Sequence, residues 1–164
     1  MPFTSNLDMY KAYQIINKFT LLTILFLMSC ASAPTQEMSN ARQALQAARD
    51  AGAVKNAPSQ LKKAEALMLS AEQALNAGED TFSTARGNAR LAKGEAIKAR
   101  KLALAIAAAK TAIAEAVAEG VLSDEAENAL RNAVTEEKQG NDTKALEHAE
   151  NAKKLAENAI ANLP

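Results

Sequence analysis

The stretch Gly78-Glu-Asp-Thr-Phe-Ser-Thr-Ala85-Arg-Gly-Asn-Ala89-Arg-Leu-Ala92-Lys-Gly-Glu-Ala96-Ile-Lys-Ala99 decides the fold. Its alanines fall at 85, 89, 92, 96 and 99. That 4-3-4-3 spacing is the 3.5-residue period of a helix holding one seam against a neighbour. The pattern returns at an offset of 60, where Gly140-Asn-Asp-Thr143 leads into Ala145, Ala149, Ala152, Ala156 and Ala159. Upstream of each turn, Ala64, Met68 and Ala71 match Ala126, Leu130 and Ala133 at an offset of 62. Each unit reads as a helix, a Gly-x-Asp-Thr turn and a second helix, with repeat units at about 58–99 and 120–162.

Glycine and proline mark the remaining boundaries. Thr35 or Ser39 caps a first helix running to about Ala51, with a stop near Gly52. Pro58 suits the first position of a second helix, which ends at Ala77 before Gly78. Asp80 or Thr81 caps a third helix that continues to Glu119 and stops at Gly120, with Gly87 and Gly94 inside it. Ser123 caps a fourth, with Asp124 and Glu125 in its first turn, and Gly140 ends it. Asp142 or Thr143 caps a fifth, to about Asn162. No run alternates with period two, so no strand is expected. The fold class is all-α: Ala-rich antiparallel hairpins forming an elongated, coiled-coil-like bundle around one long helix.

Alanine supplies 38 of the 164 residues and much of the 48% hydrophobic total. Alanine seams let helices approach closely but bury little area each. The expected core is Leu61, Leu67, Met68, Leu75, Phe82, Leu91, Ile97, Leu102, Ile106, Ile113, Val117, Leu130, Val134, Leu146, Leu155 and Ile160. The run Leu102-Ala-Leu-Ala-Ile-Ala-Ala-Ala109 is apolar on every face, so it is either enclosed or a self-association patch. Two three-helix layers sharing the long helix would enclose it.

The amino end reads as an address. Lys11 and Lys18 precede the apolar run Phe19-Thr-Leu-Leu-Thr-Ile-Leu-Phe-Leu-Met28, followed by Ser29 and Cys30, the one cysteine in the chain. Ten residues reach about 15 Å as a helix, half of what crossing a membrane requires. Leu27-Met28-Ser29-Cys30 resembles the lipobox of bacterial lipoproteins. The resemblance implies a signal peptide over 1–29, recognition of Leu27, Met28 and Ser29 by the signal peptidase, and lipidation of Cys30. Residues 30–35 would be a lipidated tether and 36–164 the helical body. Ala31 after the cysteine resembles outer-membrane cargo, which implies an anchored protein facing the periplasm.

Beyond the lipobox, Ala51-Gly-Ala-Val-Lys-Asn-Ala-Pro58, Leu61-Lys-Lys-Ala-Glu-Ala66 and Ala74-Leu-Asn-Ala-Gly-Glu-Asp80 resemble a family of bacterial lipoproteins. That family carries an Ala-rich domain of unknown function, in some members placed before an OmpA-like domain. The likeness covers residues 30–110 and implies an envelope address and a helical fold, with no activity. A weaker similarity links the chain to murein lipoprotein, a lipidated Ala-seamed helix joined to the wall through a terminal Lys. Here the chain reads Ala161-Asn-Leu-Pro164, which implies no covalent wall attachment.

Formal net charge is zero, but the charge is segregated. Residues 86–110 hold Arg86, Arg90, Lys93, Lys98, Arg100, Lys101 and Lys110 against a single acid, Glu95, while 111–164 are acidic. One reading pairs the basic stretch with the acidic helices that follow. The other makes Arg86, Arg90, Lys93, Lys98, Arg100 and Lys101 contacts for anionic lipid or peptidoglycan. Nucleic acid is not an expected partner, because Phe82 is the one aromatic after residue 26 and stacking platforms need several.

No catalytic set emerges. His148 is the single histidine, so di-iron Glu-x-x-His pairs and Cys/His zinc sites are excluded. Glu136-Glu137 and Asp124-Glu125 read as helix-end carboxylates serving the dipole or solvation. No cofactor or metal is expected and the chain is not expected to be an enzyme. The expected role is structural, or that of an adaptor for an envelope protein. A peptidoglycan- or anionic-lipid-binding module and an oligomeric assembly scaffold are the alternatives.

Overall fold

A helix whose buried face is mostly methyl groups gains little from one neighbour, so an alanine-rich chain must bring several helix faces together. The computed structural model describes residues 33–121 and 124–163. Helix α1 is Thr35–Asp50, α2 the single turn Ala53–Asn56, α3 Pro58–Asn76, α4 Phe82–Ala118, α5 Asp124–Gln139 and α6 Asp142–Ala161. A 3-10 turn at Glu79–Thr81 joins α3 to α4. The described residues contain no strand, and the all-α class stands. The long helix is α4, with 37 residues and a length of about 55 Å.

Two layers share α4. In the first, α1 runs beside α4 in the same direction. Glu37 near its start meets Arg86 and Arg90, and Asn56 beyond its end meets Lys110. Helix α3 then returns antiparallel to α4. Met38, Leu45, Leu61 and Met68 pack here against Ala89, Ala92, Ala96, Leu102 and Ile106. In the second layer the α5–α6 hairpin covers the carboxyl half of α4. Ala112 and Ala116 meet Ala126 and Ala156, while Ala109 meets Ala129 and Ala152. Ala133, Ala145 and Ala149 belong to the first cluster, so the layers meet on the middle of α4. That is where the all-apolar run lies. Leu102, Ala103, Ile106 and Ala109 are buried inside the bundle, which leaves Leu104 as the exposed large side chain of the run.

The repeat carries through to burial. Ala85, Ala89, Ala92, Ala96 and Ala99 are fully buried, as are Ala145, Ala149, Ala152 and Ala156, while Ala159 is half-buried. The two turns differ in form. After Gly140, at φ 79, the Asn141 and Gly140 N–H groups donate to the carbonyls of Glu136 and Glu137. This double closure ends α5 and lets α6 start at once. After Gly78, at φ 115, the chain adds the 3-10 turn before α4. The extra residues account for the change of offset between 62 and 60.

Several expectations need correction. Thr35 is the first residue of α1 and follows Pro34, so neither it nor Ser39 caps that helix. Helix α2 was unexpected: Gly52, at φ 80, starts a further turn before Pro58. Thr81 precedes α4 but does not cap it. Its hydroxyl donates back to the carbonyls of Ala74 and Gly78, tying down the end of α3. Helix α6 starts at Asp142 with no side-chain cap, and Ser123 lies outside the described residues.

The core is also redistributed. Leu91, Ile97 and Val117 are 57%, 53% and 49% exposed. Each is the sequence neighbour of a seam alanine, and one residue is a rotation of roughly 100° on a helix. Alanine takes the central line of contact and pushes these aliphatics off it. Leu67, Leu75, Leu130, Leu146, Ile113, Leu155 and Ile160 flank the buried clusters.

Gly87 and Gly94 lie within α4, and a Cβ placed on either meets no atom within 4 Å beyond the adjoining backbone of its own helix. Gly87→Ala and Gly94→Ala are each expected to stabilise the protein by about 0.8–1 kcal/mol, since the native conformation is helical and the added methyl meets nothing. A rise in the urea midpoint at constant slope checks this.

Candidate functional site

Cys30, with Leu27, Met28 and Ser29 before it, lies outside the described residues. The six basic candidates are described, and α4 divides them among three situations. Arg86 and Arg90 both reach Glu37 of α1, each at 3.1 Å. Lys98 donates to Glu95 of its own helix at 2.7 Å. Lys93, Arg100 and Lys101 are exposed and meet no carboxylate among the described residues. Among the described residues no ion pair joins the basic stretch to α5 or α6, although the charge of Asp142 at the start of α6 acts on Lys98. The partner of the stretch is α1, because the parallel α1–α4 contact puts Glu37 beside the start of the stretch.

The acidic helices find their complement on α3 instead. Glu137, only 2% exposed, sits in the last turn of α5, where the macrodipole disfavours a negative charge. Its carboxylate accepts the Ser59 N–H at 2.6 Å, the Gln60 N–H at 3.4 Å and the Ser59 hydroxyl at 3.4 Å. Those N–H groups are orphan donors at the start of α3, whose first residue, Pro58, has none. Glu137 thus caps α3 from 78 residues away. Lys63 of α3 returns the favour, donating to the Gly140 carbonyl and to Asp142, both at 3.2 Å. A carboxylate at one helix start and an ammonium at the other helix end join the two layers with favourable dipole signs.

Next to this junction, the buried Gln60 donates its amide to Glu95, which also receives Lys98. Among the described residues the buried oxygens Gln60 Oε1 and Asp142 Oδ1 receive no hydrogen bond, a cost the rest of the junction must offset. The Lys98 hydrogen bond, followed by Gln60 and the charges of Lys98 and Lys63, holds the Glu95 carboxyl below its ordinary 4.5. Partial burial opposes the shift. Glu37 is lowered likewise, first by a backbone hydrogen bond and then by Arg90 and Arg86. Lys98 is raised above its ordinary 10.5 by Glu95, with Asp142 helping.

The sign of the pH dependence follows from these shifts. A carboxyl lowered in the folded state stabilises above pH 4.5 and loses that contribution as pH falls through its folded value. Lys98 stabilises below pH 10.5 and loses its contribution as pH rises through its own. The melting temperature is expected to fall on acidification below pH 4.5, and less steeply in Glu95→Gln. Thermal melts by circular dichroism across pH 3–7 check this, and equal slopes in both proteins would count against it.

An open groove of about 590 Å³ runs between α1 and α3, lined by Leu45, Met68 and Leu69. Arg42–Glu72 at 3.1 Å and Arg49–Glu65 at 2.8 Å flank it. His148 is half-buried on α6. Among the described residues no three His, Cys, Asp or Glu side chains group to hold a metal, and no helix is long and apolar enough to cross a membrane.

Sequence reading missed the role of Glu137. The available signal was a carboxylate at the wrong end of a helix for its dipole, which asks for a partner elsewhere. Comparisons with protein-family models, with curated proteins and with solved structures return no match.

Proposed function

We propose that this chain is a lipid-anchored helical protein of the bacterial cell envelope, held at the outer membrane facing the periplasm, with a structural or adaptor role. The observation that carries the reading is Cys30. It is the single cysteine of the chain and stands where the apolar run Phe19–Met28 gives way, in a Leu-Met-Ser-Cys context. An unpaired thiol in an oxidising compartment is a liability unless it is used. Several acyl chains on that residue give stable anchoring where one would be marginal. The helical body agrees with the reading. It begins at Thr35, five residues past Cys30, so the tether spans about 20 Å at most.

An adaptor needs faces its own fold does not consume. The α1–α3 groove and the exposed cations Lys93, Arg100 and Lys101 are such faces. Radiolabelled palmitate is expected to enter the full chain and not Cys30→Ala, with the latter leaving the membrane fraction. Label in both proteins, or in neither, would overturn the reading.

A further inference from the structure

Arg86, Arg90, Lys93, Ile97, Arg100 and Leu104 follow one another at 4-3-4-3-4 spacing along α4, each one residue after a buried seam alanine at 85, 89, 92, 96, 99 and 103. The spacing places all six on a single line of the helix surface. Lys101 lies beside that line. From Arg90 to Leu104 neither layer covers it: Ile97 and Leu104 are 53% and 49% exposed, and Arg90, Lys93, Arg100 and Lys101 are exposed as well, while Arg86 is half-buried against Glu37 of α1. From 86 to 104 the stripe is about 27 Å long.

We infer that this stripe of α4 docks on an anionic membrane surface, with the cations meeting lipid phosphates and Ile97 and Leu104 entering the head-group layer. The inference deepens the anchoring reading and rests on it for the location. Isolated exposed aliphatics are ordinary. Aliphatics lined up with cations on one helix face are the pattern of helices that lie in a membrane interface. The long arms of Arg and Lys let their charges reach phosphate while the aliphatic side chains sit lower. A second copy is a poor occupant for the stripe, because a two-fold contact would set cation against cation.

Geometry favours the membrane over a more distant polymer. Glu37 holds Arg86 and Arg90, so the stripe starts at the end where the chain enters the bundle. Five residues of chain and the first turn of α1 separate Cys30 from Glu37, a reach of about 20 Å. An anchored chain holds the stripe near lipid at high effective concentration, so a weak face suffices.

The chain contains no Trp, so Ile97→Trp places a single indole on the stripe. Val117→Trp places one at another exposed site of α4, about half a turn round the helix axis. Purified lipidated full-length protein is reconstituted into vesicles of brominated phosphatidylcholine, with or without about 30 mol% phosphatidylglycerol. Bromine quenching is expected at position 97 in the anionic vesicles, about tenfold weaker in neutral ones or at about 0.5 M NaCl. Adding Lys93→Glu, Arg100→Glu and Lys101→Glu should abolish it, and position 117 should stay unquenched throughout.

No quenching at position 97 in anionic vesicles overturns the inference, as does equal quenching in neutral ones. Binding of the same protein to purified wall sacculi with position 97 dark to lipid overturns it in favour of a wall polymer. The anchor is scored separately by palmitate. Label with an unquenched indole keeps the anchor and sinks the stripe. Missing label with salt-sensitive quenching, in full-length protein added to preformed vesicles, does the reverse.

Discussion

Ile106→Ala is expected to cost about 3 kcal/mol, within the 2–5 kcal/mol range for such truncations of a buried aliphatic. Ile106 is fully buried at the middle of α4, where the layers meet, and it stands among alanines that cannot grow into a void. Most of the buried hydrophobic residues are alanine, so the few full-sized buried side chains carry a large share of the apolar burial. Leu102, Met38 and Ile106 are the largest apolar side chains that are essentially inaccessible. The loss should lower the melting temperature by about 10 °C. Ile97→Ala, nine residues earlier on the same helix, is expected to change stability by less than about 0.5 kcal/mol, because Ile97 is 53% exposed. Equal losses in the two variants would mean that the alanine seam does not define the core.

Glu137→Ala is expected to cost about 2–4 kcal/mol. The change removes a charged acceptor and leaves the Ser59 and Gln60 N–H groups buried or half-buried without their partner. Because Glu137 links α5 to α3, the effect should also be visible as uncoupling of the layers. Urea unfolding followed by circular dichroism is expected to broaden, with a reduced apparent slope, as the α5–α6 hairpin loosens before the α1–α3–α4 layer. Glu137→Gln keeps an oxygen acceptor without the charge and should recover more than half of the loss. A sharp transition with an unchanged midpoint in Glu137→Ala would show that Ser59 and Gln60 find other acceptors at no cost.

The two variants probe different kinds of information. Ile106 belongs to a run that is apolar on every face, which left enclosure by two layers or self-association as its readings, and the packing shows Ile106 enclosed. The alanine periodicity placed the buried line of α4 and α6 apart from Ala159, which is half-buried, because a 3.5-residue repeat is a local property of the chain. The glycines at 52, 78, 120 and 140 marked the ends of helices for an equally local reason: all four take the positive φ that side chains oppose.

What local pattern did not reveal was rotation and partnership. Leu91, Ile97 and Val117 look like core by residue type, yet alanine holds the contact line beside each of them. The basic stretch was legible as charge, but not its division. Glu37 takes Arg86 and Arg90, Glu95 takes Lys98, and Lys93, Arg100 and Lys101 remain on an open face. The alternatives differ by roughly one helical residue of rotation or by which helix runs parallel to α4, and neither is written in spacing.

The amino-acid sequence by itself determined an all-α chain, its hairpin boundaries and the alanine lines that bring helices together, because these follow from propensity, period and turn chemistry within a few residues. The tertiary structure alone decided that Glu137 caps a helix 78 residues away and that one face of α4 stays uncovered. Both depend on which helix ends and faces meet, and that is settled by packing the whole chain at once.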